Sequence, residues 1–133
     1  MELRYFSLSE FASPDIEGSG KEMSPKLLEC LDDIRDEIGI PFIINSGYRS
    51  YAHNQKVGGS VRSQHLSGHA VDIAIANQLI GDQIQAAFIA RVGQECGIGR
   101  YVTKESGAGF IHLDIRGYKA RWSNQAYKDW IKQ

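Results

Sequence analysis

The stretch Ser63-Gln64-His65-Leu66-Ser67-Gly68-His69-Ala70-Val71-Asp72-Ile73-Ala74-Ile75 decides how the chain is read. Its second half alternates. Val71, Ile73 and Ile75 point one way along a β-strand and Ala70, Asp72 and Ala74 the other, because successive strand side chains face opposite sides. One face is apolar and belongs against a core; the other offers a carboxylate flanked by small residues. In the first half Gly68 supplies a tight turn that a side chain would block, and His65 reaches the strand from that loop. A second stretch, Phe110-Ile111-His112-Leu113-Asp114-Ile115, repeats the pattern. Ile111, Leu113 and Ile115 share a face, and Phe110, His112 and Asp114 share the opposite one.

Set side by side in one sheet, these strands bring Asp72 and His112 within ligating distance, with His65 approaching from the loop. Two imidazoles and one carboxylate are a ligand set for catalytic zinc, with the fourth position left open for water. Such a water ionises near neutral pH and can attack an amide. His65, Asp72 and His112 are therefore the expected Zn2+ ligands. His53 and His69 are expected as ordinary solvated loop histidines.

Working outward, Ser24-Pro25 reads as an N-cap followed by proline at the first helical position. Leu27, Leu31, Ile34 and Ile38 recur at helical spacing, and Gly39 stops the helix. Pro41 opens a short strand, Phe42–Asn45. The segment from Ser46 to Gly68 reads as a long loop holding a short helix around Tyr51–Lys56, and a loop of that length in a compact domain is usually functional. After the strand Ala70–Ile75 a helix is expected from about Asp82 to Cys96, with Ile84, Phe88 and Val92 on one face and Gly97-Ile98-Gly99 ending it. Arg100–Thr103 and Phe110–Ile115 form a hairpin around Ser106-Gly107-Ala108-Gly109. Ser123 is expected to cap a short C-terminal helix. The fold class is α+β: a small antiparallel sheet flanked by helices, in a single domain.

Composition narrows the rest. With 42% hydrophobic and 23% charged residues the chain has the balance of a globular protein. Fifteen basic against sixteen acidic residues, a net charge of −1, argue against nucleic-acid binding, which calls for a concentrated basic face. Lys119, Arg121, Lys128 and Lys132 read as a solvated face. Cys30 and Cys96 are expected as buried free thiols. The N-terminus Met1-Glu2-Leu3-Arg4-Tyr5-Phe6-Ser7 has no apolar run of signal-peptide length, and no segment approaches the length of a membrane span. A monomer made in the cytoplasm is the expectation.

Together, Ser46-Gly47-Tyr48-Arg49-Ser50, Asn54, Val57-Gly58-Gly59, Ser63-x-His65-x-x-Gly68-x-Ala70-x-Asp72 and Phe110-Ile111-His112-Leu113-Asp114 closely resemble the zinc D-Ala-D-Ala carboxypeptidase family. That family also includes L-alanyl-D-glutamate endopeptidases of phage lysis and spore germination, and it is related to the hedgehog signalling domain. The similarity runs from about Phe6 to Trp122 and is strongest to the short, single-domain phage and bacterial branch. It implies a hedgehog/DD-peptidase-like zinc fold and a substrate that is the peptidoglycan stem peptide. It also implies action on the cell wall after release or export, including endolysin or particle-borne phage roles.

The resemblance assigns zinc to His65, Asp72 and His112, gives Arg49 the task of binding substrate or the developing oxyanion, and has Ser63 support the site by hydrogen bonding. Tyr48 and Trp122 are candidates to wall the cleft. One departure matters. Many relatives place an acidic general base three residues before the last histidine, where this chain has Gly109. Asp114 and Glu105 are the replacements considered, Asp114 being favoured because strand geometry places it without assuming a loop conformation. Its alternative role is to orient a ligating histidine. The rival readings of function are a non-catalytic zinc-containing module that binds cell wall or protein, and a component of a phage particle.

Overall fold

A computed structural model of the chain describes residues 1–124. The expected C-terminal helix, together with Lys128 and Lys132, falls outside them. Helix α1 (Pro25–Ile38) starts as its sequence demands: Ser24 accepts from Leu27 N, Pro25 follows at the first turn, and Gly39 closes the helix at φ +78°. Strand β1 is Ile44–Ser46, later than the expected Phe42–Asn45, because Phe42 is drawn into the core beside Phe6. Helix α2 covers Tyr51–Lys56 as read, capped by Ser50. A 3-10 turn, Gln64–Ser67, precedes strand β2, Ala70–Ile75.

Helix α3 spans Gln78–Val92 rather than Asp82–Cys96. Asn77 caps it by accepting from Ile80 N, and Gly93 at φ +84° ends it, so both ends sit earlier than apolar periodicity indicated. Gly97 and Gly99, expected as terminators, instead lie within strand β3, Gly97–Val102. Strand β4 is Gly109–Asp114, and Ser123 ends strand β5, Ala120–Ser123.

The strands form one sheet in the order β1-β2-β4-β3-β5. Neighbours are antiparallel except β3 and β5, which run parallel. On the core face, Val71 pairs with Leu113 and Ile73 with Ile111; all four are fully buried and pack in one cluster with Leu27, Leu31, Ile34, Ile84 and Phe88. Burying each such side chain stabilises the fold by about 1.5–3 kcal/mol. The opposite face carries the chemistry. There the register aligns Asp72, His112, Gly99 and Trp122 in one row across β2, β4, β3 and β5. Cys30 and Cys96 are free and buried, and burial pushes the Cys30 thiol up to about 11. Among the described residues no helix is long and apolar enough to cross a membrane.

Candidate metal centre

The row places Asp72 and His112 as direct register partners, and His112 Nδ1 lies 3.0 Å from Asp72 Oδ1. His65 arrives from the turn before β2. Ser63 Oγ accepts from His65 N at 3.2 Å, and Gly68, at φ +73°, closes the turn so tightly against Glu22 and Met23 that a Cβ would clash. The ligand atoms of His65, Asp72 and His112 all lie within 4.8 Å of one another, and all three residues are buried.

The protonation pattern fits a cation. His65 Nδ1 sits 2.7 Å from the Gly47 carbonyl oxygen, which can only accept, so Nδ1 carries the hydrogen and Nε2 the lone pair. That Nε2 is buried with no hydrogen-bond partner, a rare condition for a buried polar atom. It stands 3.3 Å from Asp72 Oδ1, so a lone pair faces a carboxylate oxygen with no hydrogen between them. A metal ion between the two would satisfy both. Burial opposes ionisation of Asp72, yet the two imidazoles, His112 and His65, outweigh it and hold the carboxyl well below the usual carboxylate range.

Asp114, expected as general base, stands on the other edge of the His112 ring and does not line the cleft. Its Oδ2 accepts from His112 Nε2 at 2.7 Å and from Arg116 Nη2 at 2.6 Å, while Oδ1 accepts from Gly97 N at 3.0 Å and Arg116 Nε at 2.8 Å. Burial works against its charge, but Arg116 and His112 prevail and keep it ionised. The same contacts overcome burial to raise the pKa of His112, through Asp114 first and Asp72 second. A Cβ at Gly97 would fall inside the Asp114 carboxylate, so the glycine is what lets the acid lie over β3. Glu105 is exposed in the β3–β4 turn, away from the cleft. At Gly109 φ is +152° and a Cβ would strike the Tyr101 carbonyl, so an acid at that position is incompatible with this hairpin.

The triad lies in a cleft of about 630 Å³. Arg49 enters it on the β1 side, donating to Ser46 Oγ (3.1 Å), Asn54 Oδ1 (3.2 Å) and Asp72 Oδ2 (3.3 Å). Ser63 lines the cleft as well. Tyr48, by contrast, packs against the hydrophobic core and lines no part of it. Trp122 does form a wall: its ring is 5.1 Å from His112, and Nε1 donates to the Tyr101 hydroxyl at 2.8 Å. Phe110 stacks on Tyr101 at 4.7 Å beside it. Sequence reading missed Arg62 and Arg116, which also line the cleft. Arg116 had a signal: it follows Asp114 by two, the spacing that keeps two strand side chains on one face.

Over 47 residues the chain is 40% identical to a zinc D-Ala-D-Ala carboxypeptidase of Streptomyces albus G, an alignment covering 35% of this chain and 18% of that protein. The chain thus spans less than a fifth of that relative's length. The solved structure of Serratia marcescens L-Ala D-Glu endopeptidase ChiX superposes with a TM-score of 0.53 and 26% identity, covering 75% of this chain and 86% of that one. The Peptidase M15 pattern matches residues 4–114, a span that contains all three candidate ligands, and on that match the chain belongs to the Peptidase M15 family.

Proposed function

We propose that the chain is a zinc-dependent peptidase that hydrolyses peptidoglycan stem peptides. The observation that carries this reading is the convergence of His65 Nε2, Asp72 and His112 Nδ1, with the first of these buried and otherwise unpartnered. Names of the relatives supply the substrate class: a D-Ala-D-Ala carboxypeptidase and an L-Ala D-Glu endopeptidase.

Zinc held by the three ligands supplies a Lewis acid for the scissile carbonyl and a water acidified to near neutral pH. The chain's own residues do the rest. Gly47 O and Asp114 each hold one imidazole in the tautomer that turns a lone pair inward. Arg49 uses three of its five N–H donors within the protein, which leaves two for a substrate carbonyl oxygen or carboxylate. Trp122 and Phe110 exclude water along the β3–β5 side of the cleft.

A second reading, a zinc-containing module that binds wall peptide without cutting it, has one observation behind it. Among the described residues Asp72 is the single carboxylate lining the cleft, and it is already committed as a ligand. Mass spectrometry of defined muropeptides incubated with zinc-loaded protein separates the two. Released peptides identify both activity and the bond cut, carboxypeptidase or endopeptidase. One equivalent of bound zinc with no new amine would leave only the binding module.

A further inference from the structure

Three guanidinium groups line the cleft, those of Arg49, Arg62 and Arg116. Two are engaged by protein carboxylates. Arg49 is bonded to Asp72, while Arg116 grips Asp114 through Nε and Nη2 and lies 5.0 Å over the Trp122 ring. Arg62 differs: among the described residues its side chain makes no hydrogen bond or ion pair, and it is exposed on the cleft rim.

Its backbone is nevertheless fixed. Arg62 N donates to Ser60 Oγ at 3.3 Å, and Ser63 N to Ser60 O at 3.0 Å. Ser60 O also accepts from Asn54 Nδ2 at 2.8 Å. Asn54, only 2% exposed, holds Arg49 Nη1 with its other amide atom, and Gly59 packs on both groups with no room for a Cβ. One buried carboxamide therefore anchors both Arg49 and the loop that carries Arg62. A pinned backbone with an unspent guanidinium is arranged to meet an anion that comes from outside. Within the cleft no described carboxylate other than Asp72 competes for it.

We propose that Arg62 is a specificity-determining residue that binds a free carboxylate of the peptide in the cleft. The protein then prefers stem peptides whose glutamyl carboxyl is free over those in which it is a primary amide. A guanidinium meets a carboxylate through two parallel charge-assisted hydrogen bonds, and a neutral amide cannot reproduce that contact. The proposal takes its ligand from the peptidase reading and adds the chemical group on which the rim discriminates.

The test uses the pentapeptide L-Ala-γ-D-Glu-L-Lys-D-Ala-D-Ala, which holds both candidate scissile bonds, with the glutamyl α-carboxyl either free or amidated, against zinc-loaded wild type, Arg62→Ala and Arg62→Lys. Wild type is expected to favour the free acid roughly tenfold in kcat/KM, through KM rather than kcat. That preference collapses to near unity in Arg62→Ala and is partly restored in Arg62→Lys. Calorimetric Kd values for the same peptides are expected to show the same ratio. They serve as the deciding readout if neither peptide is cleaved, an outcome that overturns the peptidase reading but not the proposal. Equal binding of acid and amide by wild type, or an unchanged ratio in Arg62→Ala, would overturn the role of Arg62.

Discussion

His112 Nε2 meets the Asp114 carboxylate at 2.7 Å, at the ring nitrogen that does not face Asp72. This contact divides the imidazole into two functions. An ionised carboxylate only accepts, so Nε2 gives its hydrogen to Asp114, and a metal ion coming between Nδ1 and Asp72 would draw on the Nδ1 lone pair. Arg116 and Gly97 N then occupy the remaining lone pairs of Asp114, which leaves the acid nothing with which to approach a substrate.

Asp114→Asn is therefore expected to act on the metal. An asparagine can present an N–H to Nε2 and drive the ring hydrogen onto Nδ1. Zinc affinity should fall about 10–100-fold, read by competition with a chromogenic chelator, and activity should recover at saturating zinc. Loss of a general base would look different: unchanged zinc affinity and a kcat lowered about 10²–10⁴-fold at every zinc concentration.

Removing one ligand leaves two where a catalytic zinc site uses three. His65→Ala is expected to bind less than about a tenth of an equivalent of zinc under conditions where wild type holds one, measured by elemental analysis after dialysis. Dialysis of wild type against a chelator should abolish peptide hydrolysis, and added zinc should restore it. Full turnover by metal-free protein would sink the metallopeptidase reading.

Much of the site was legible because strand alternation is a local rule. Val71/Asp72 and Leu113/His112 declare their faces within a few residues, and direct pairing of Asp72 with His112 follows once the strands adjoin. The role of Asp114 was harder to read. Alternation puts it on the face of His112, but which edge of the ring it meets depends on Arg116 and on the space left by Gly97, both tertiary facts. The glycines misled for the same reason. Gly97-Ile98-Gly99 resembles a helix stop in sequence, whereas the demand for glycine comes from the Asp114 and Trp122 side chains lying over β3. Strand β5 was missed because its partner, β3, is some twenty residues away in sequence and the pairing is parallel, so no turn motif announces it. Asn77 and Gly93 are ordinary capping signals for α3, masked by a longer apolar periodicity.

Gly99→Ala tests the packing over β3. The new methyl would enter the Trp122 indole, which must move away from His112. Overpacking of this kind is expected to cost about 1–3 kcal/mol in denaturant unfolding, with a change in tryptophan fluorescence. Gly97→Ala should cost a similar amount but also weaken zinc binding, because its methyl displaces the Asp114 carboxylate rather than an indole. Equal zinc affinity in the two variants would contradict the orienting role of Asp114.

A final prediction concerns acid stability, away from the cleft. The buried Asp32 carboxylate on α1 accepts from Arg4 N (3.1 Å), Arg4 Nε (3.0 Å) and Tyr5 N (3.0 Å), tying the N-terminal segment to the helix. Burial alone would raise its pKa, but these hydrogen bonds outweigh burial and set it below the ordinary value. A carboxyl whose folded pKa is depressed stabilises the fold fully above its unfolded pKa, near 4, and loses that contribution as pH falls through the folded value. Asp32→Asn should therefore lower the melting temperature by about 5 °C at pH 7, and the gap to wild type should narrow below about pH 4. The pKa values of Asp72 and Asp114 are also held below the ordinary carboxylate value, so the quantity to follow is the difference between wild type and variant, in which their contributions cancel. Both proteins are melted metal-free, so that zinc loss at low pH does not enter. A gap of the same size at pH 3 and pH 7 would mean that the N-terminal tie does not depend on the charge of Asp32.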